Sequence, residues 1–222
     1  MNVPTYDELA ELQVGHGYPW FTAPWDLNLI CLRTDTVGAW DDLLVCAFSD
    51  DAGRQLVYPV TVTADAWAGE WTDPTNPDGC VYILDGRYSV GLTLGEHKGR
   101  PALRQVKLFD YVRWPSDRPW VPSGAELRAL AESGARFSDI CGTHAHNDYT
   151  TKSTAEPPVD SSEGCIVALH RHEWAGLIEL VNQQGRHRGG VTVSLTVITL
   201  PDDPDVKLLK TLAAEVVVQA TK

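Results

Sequence analysis

Thr143-His144-Ala145-His146-Asn147 and, further on, Ser161-Ser162-Glu163-Gly164-Cys165-Ile166-Val167 are the most informative stretches of this 222-residue chain. A thiol is an effective nucleophile only as thiolate, and a nearby imidazole is the usual means of producing one. His144 and Ser162 have seventeen residues between them, enough for a loop joining two adjacent elements. In a strand His144 and His146 share a face, because alternate side chains point the same way. Glycine before cysteine lets the backbone turn tightly and lets a substrate carbonyl approach main-chain N–H groups. The pattern points to cysteine-dependent acyl transfer with Cys165 as nucleophile. Gly164 stands beside it, and Ser162 orients the imidazole or braces the turn. Such chemistry needs no cofactor and no metal.

Outward from these stretches the chain reads as β-rich with a few helices. Strands are expected at about 27–34, 43–48 and 55–63, then at 81–84 and 88–92 on either side of Asp85-Gly86. That dipeptide is a strong two-residue hairpin signal. Residues 103–114 read as a strand pair or one bent strand, and 137–146 as strand again. Val191, Val193, Leu195 and Val197 alternate with Thr192, Ser194 and Thr196, the mark of a half-buried strand. Thr5-Tyr6-Asp7-Glu8 and Ser123-Gly124-Ala125-Glu126 are capping boxes opening short helices that stop at Gly15 and Gly134. Trp174, Leu177, Ile178 and Val181 have helical spacing, with Gly185 as the expected stop. Residues 65–79, holding Trp67 and Trp71, have no periodicity and read as a long loop. Three segments follow: an N-terminal helix and aromatic arm over 1–25, a main domain over 26–200, and a C-terminal helix over 201–222.

Hydrophobic residues make up 43% of the chain, enough for one packed core. The formal net charge of −12 argues against nucleic acid as a partner, since phosphate binding relies on clustered Lys and Arg. No apolar run is long enough to span a membrane. The first residues lack the basic start and apolar run of a signal peptide, so synthesis in the cytoplasm is expected. The five cysteines include no C-x-x-C pair, and Cys31 and Cys46 sit in strand-like runs as small buried hydrophobes.

The two motif stretches resemble the catalytic signature of the L,D-transpeptidase (YkuD-like) domain, in which a histidine is followed by a loop and then Ser-His-Gly-Cys. They are more similar still to a phage-encoded branch that reads His-x-Gly-Asn before its Gly-Cys-Ile. Gly86-Arg87-Tyr88 resembles an upstream segment of the same group. The resemblance covers roughly residues 26 to 200 and implies an L,D-transpeptidase-like β-sandwich. It also implies activity on peptidoglycan stem peptides, as endopeptidase or transpeptidase. A protein made in the cytoplasm without a leader would then reach the wall by another route, such as a phage particle. The phage-type pattern sets its histidine three residues before the asparagine, which makes His144 the base. His146 then orients the pair or binds substrate, and His97 and Lys98 are further candidates for substrate contact. Three positions depart from the pattern: Glu163 replaces histidine, Val167 replaces an arginine, and His146 replaces glycine. Hydrolysis needs fewer of the family's groups than transpeptidation does.

Two other readings compete. The same fold can serve as a non-catalytic phage capsid or tail protein whose partners are other particle proteins. His144-Ala145-His146-Asn147-Asp148 also matches His-x-His-x-Asp, the opening of a zinc hydrolase site that would use His144, His146 and Asp148. Tyr149 stands where that motif expects a further histidine.

Overall fold

Leu29 and Cys31 of β1 (Asn28–Arg33), with Leu44 and Cys46 of β2 (Asp42–Ser49), point into one apolar cluster, while Ile30, Leu32, Leu43 and Val45 point into another. Both faces of this strand pair are buried. Hence its sequence is a continuous apolar run rather than an alternation. The inner cluster is the interior of a closed eight-stranded barrel, and the outer one is covered by α1 (Tyr6–Gly15) through Tyr6 and Leu9. The computed structural model describes residues 3–118, 120–147 and 162–200.

Around the barrel the order is β1, β11 (Thr192–Thr199), β5 (Gly86–His97), β6 (Arg100–Gln105), β9 (His144–Asn147), β10 (Ile166–Ala168), β3 (Gln55–Thr63) and β2. Two neighbouring pairs are parallel, β1 with β11 and β9 with β10; the rest are antiparallel. Closure removes the open edges that a flat sheet would expose. Trp174, Leu177 and Val181 of α4 (Arg171–Arg188) join the inner cluster. A second sheet, β4 (Cys80–Ile83), β7 (Phe109–Trp114) and β8 (Arg136–Asp139), packs with α2 (Ala68–Thr72) and α3 (Gly124–Glu132) around Trp71, Tyr82, Val112, Trp114 and Leu127.

The mostly-β expectation holds, and both capping boxes form as read. Several details differ. Asp85-Gly86 does not close a hairpin: β4 and β5 belong to different sheets. The Asp85 carboxylate instead accepts from the buried Arg33 at 2.8 Å and from Thr199 N–H at 2.9 Å, tying a corner between the sheets. Residues 65–79 contain the short helix α2, fixed by Trp71, which is 1% exposed and donates its indole N–H to the Ala66 carbonyl. Helix α4 runs past Gly185, where a Cβ would lie 2.7 Å from a Val191 methyl, and stops at left-handed Gly189. The aromatic arm is packed down: Trp25 stacks on Phe48 and His187, and Trp20 meets Tyr6 edge-on. The expected C-terminal helix lies outside the described residues. No helix among the described residues is long and apolar enough to cross a membrane.

Candidate active site

Strands β9 and β10 run parallel, with Ala145 opposite Ile166 and His146 opposite Val167. Ala145, Ile166 and Ala168 point into the barrel. Alternation therefore sends His144 and His146 outward, and Cys165, one residue before Ile166, with them. Outside the barrel they meet the second sheet. A cleft of about 460 Å³ opens there, lined among others by His97, Lys98, Cys141, His146, Glu163 and Cys165.

The turn carrying Cys165 is tied to two other segments and braced from within. Ser162 accepts the Trp67 N–H on its carbonyl at 3.0 Å, and Glu163 accepts the Val81 N–H at 2.9 Å. Ser162 Oγ accepts the Gly164 N–H at 3.0 Å and donates to the Cys165 carbonyl at 2.9 Å. Ser162 thus braces the turn. Gly164 has φ +133°, and a Cβ there would sit 2.4 Å from the Val81 carbonyl oxygen. Only glycine meets both demands.

The two histidines carry opposite tautomers. Nδ1 of His146 lies 2.8 Å from the Asn147 carbonyl, which can only accept, so Nδ1 bears the hydrogen and Nε2 is the basic nitrogen. Nδ1 of His144 instead accepts the Gln105 N–H at 3.2 Å, which places the neutral ring's hydrogen on Nε2. What His144 gives Cys165 is its main-chain N–H, a contact that eases ionisation of the thiol. His97 stacks on His146 with ring centroids 5.0 Å apart and meets His144 edge-on at 4.9 Å. It closes the β5–β6 hairpin, where Lys98 and Gly99 both have positive φ.

Burial dominates the charges here. It pushes the Cys165 thiol up to about 11, with Cys141 and Glu163 adding to the rise and Lys98 opposing it. It pulls the His146 imidazole down to about 4, against the contact with Asn147. His144 and His97 are lowered as well, again by burial first. At neutral pH the resting site therefore holds a neutral thiol and neutral imidazoles.

The structure brings Cys165, Gly164, Ser162, His146, His97 and Lys98 to one cleft, with His144 beside it. Sequence reading passed over Glu70, Arg113 and Gln105. The first two come from the unperiodic loop and the second sheet, so only the tertiary fold brings them near. Gln105 donates to the Lys107 and Asp139 carbonyls and accepts from Gly142 N–H, holding the cleft wall. Trp71 and Trp114 are core side chains, 1% and 2% exposed. Asp148, the third group of the zinc reading, lies outside the described residues, as does Ser161. Among the described residues no three His, Cys, Asp or Glu side chains are arranged to hold a metal ion. Comparison with family models, with curated proteins and with solved structures finds no match.

Proposed function

We propose that this chain is a cysteine-dependent acyl-transfer enzyme acting on peptidoglycan stem peptides, with His146 rather than His144 as the base. The observation that carries it is the His146 tautomer: a neutral ring with Nε2 as its basic nitrogen, on a residue that lines one cleft with Cys165. As the sulfur attacks a peptide carbonyl, Nε2 takes the thiol proton and later returns it to the leaving amine. The Gly164 N–H is committed to Ser162 Oγ, and the oxyanion is assigned to the main-chain N–H of Cys165 itself. Water resolves the thioester in an endopeptidase, and an amine does so in a transpeptidase. Val167, buried where the family carries arginine, favours water. The L,D-transpeptidase-like reading of the fold rests on the adjacent parallel strands that set the histidine strand beside Gly-Cys, within a sheet that closes as a barrel.

The test is intact-protein mass spectrometry after acid quench of a reaction with a synthetic stem tetrapeptide. A thioester on Cys165 that vanishes in Cys165→Ala and accumulates less in His146→Ala supports the reading. No adduct, with no product released from peptide or from whole peptidoglycan, sinks it. A phage particle component on the same fold remains the second reading. It is favoured by four exposed apolar side chains around the start of β7 and the edge strand β8, Val106, Leu108, Phe137 and Ile140. Recovery of the chain in purified particles, with a Cys165→Ala variant that assembles and functions normally, supports that role instead.

A further inference from the structure

Of the five cysteines, Cys31, Cys46 and Cys80 are buried, while Cys141 and Cys165 are partly accessible and line the same cleft. The fold explains the meeting. Cys165 stands one step before the β9–β10 register, opposite His144, and Cys141 lies three residues upstream of His144. Between them Gly142, at φ +81°, turns the chain out of β8 and into β9. Both side chains face one cleft, and charge on Cys141 raises the cost of ionising Cys165. Among the described residues the Cys141 sulfur makes two weak hydrogen-bond contacts, with Gln105 Oε1 at 3.5 Å and Thr143 Oγ1 at 3.3 Å, and the side chain packs against the inner apolar cluster. Sulfur hydrogen bonds of this kind are weak and cost little to give up.

We propose that Cys141 and Cys165 are a paired oxidation site that closes into a reversible disulfide and caps the nucleophile. The oxidant is a peroxide. Cys141 reacts first: its sulfur attacks one peroxide oxygen, the O–O bond breaks, and a sulfenic acid and water result. Cys165 then attacks the Cys141 sulfur, His146 accepts the thiol proton, and hydroxide leaves as water on taking up that proton. The S–S bond forms as the S–O bond breaks. In sum two thiols and one hydrogen peroxide give a disulfide and two waters, with two electrons passing from sulfur to oxygen. A dithiol reverses it by exchange. The pair thereby diverts Cys165 from the irreversible steps of thiol oxidation. None of this depends on acyl transfer, and either reading can fail alone.

The native full-length protein is treated with a small excess of hydrogen peroxide, blocked with iodoacetamide and digested with trypsin. Cleavage at Lys152 separates the two cysteines, so their disulfide appears as two joined peptides. The expected result is joined Cys141 and Cys165 peptides, released by dithiothreitol and lost in Cys141→Ser. Near-ultraviolet circular dichroism checks that this variant keeps the native fold, and Gln105→Leu, which frees the Cys141 loop, gives a second variant that still joins. Three outcomes would overturn the proposal: sulfinic or sulfonic acid at either cysteine without joining, joining to a different cysteine, or no change in native thiols at peroxide levels that oxidise the unfolded chain.

Discussion

The main-chain N–H of Gln105 donates to Nδ1 of His144, 3.2 Å away, and so takes from that ring the nitrogen a base at this position would need. His146, two residues on, has its Nδ1 turned to a carbonyl instead. His146→Ala is expected to lower turnover by about 10²–10⁴-fold, the usual contribution of a general base. His144→Ala keeps the main-chain N–H that faces Cys165 and should cost markedly less. Single-turnover rates of thioester formation for the two variants decide it, and the opposite ranking returns the role to His144.

The Cys165 thiol, raised to about 11, should show its pKa in alkylation. Its rate with limiting iodoacetamide is expected to climb about tenfold per pH unit from 7 towards 10, following the thiolate fraction. Lys98→Ala should slow labelling further, because the ammonium eases ionisation. A plateau already reached near neutrality would mean a preformed thiolate–imidazolium pair and a different mechanism.

Gly164→Ala combines a left-handed backbone with a contact of 2.4 Å to the Val81 carbonyl oxygen. The expected result is loss of acyl transfer together with destabilisation of about 1–3 kcal/mol, read from urea midpoints. A variant as stable and active as the parent would show that the turn has room this geometry denies it.

Asp65 predicts a pH dependence of stability with an unusual sign. It is 1% exposed, and burial raises its carboxyl to about 7 from an ordinary 3.8. The folded chain therefore holds this proton through a window, about pH 4 to 7, in which the unfolded chain has released it. Stability from this group is full below pH 4, falls as pH rises, and is gone above 7. Asp42, raised by burial and by Asp65, acts in the same direction. The difference in unfolding free energy between the parent and Asp65→Asn should drift by a few kcal/mol between pH 4.5 and 7.5, against the parent at the higher pH. Drift towards the parent would show the carboxyl to be ionised in the fold.

Asp85→Ala should be more damaging than its half-exposed position suggests. It strips the buried Arg33 guanidinium of its carboxylate partner and leaves Thr199 N–H without an acceptor. A loss of about 1.5–3 kcal/mol is expected from the charged hydrogen bonds alone, measured by chemical denaturation. Asp85→Asn, able to accept but uncharged, should fall between.

The elements most legible in the sequence were those whose signals are local. Thr5 and Ser123 announce their helices because a capping hydroxyl and a carboxylate three residues on need no distant partner. Gly164-Cys165 was legible for the same reason. Pairing was not. Asp85-Gly86 carries the chemistry of a hairpin, yet Arg33, 52 residues away, claims the aspartate. Which histidine is basic could not be read from spacing, because the deciding contacts are main-chain groups of Gln105 and Asn147 that carry no side-chain signature. The break at Cys141–Thr143 inside an apparently continuous strand region was signalled only by Gly142, and its importance emerges only beside Cys165.

The turn at 162–165 is laced by main-chain bonds to Trp67 and Val81, residues that leave the ribosome long before Cys165 is made. Contacts of such sequence separation form late, after the entropy of closing the intervening chain has been overcome. Partly folded chains thus carry Cys165 as an ordinary thiol, without the turn that aims it. On the proposed reading, acyl transfer becomes a property of the finished molecule, because the turn that sets Cys165 in the cleft with His146 assembles only with these last long-range contacts.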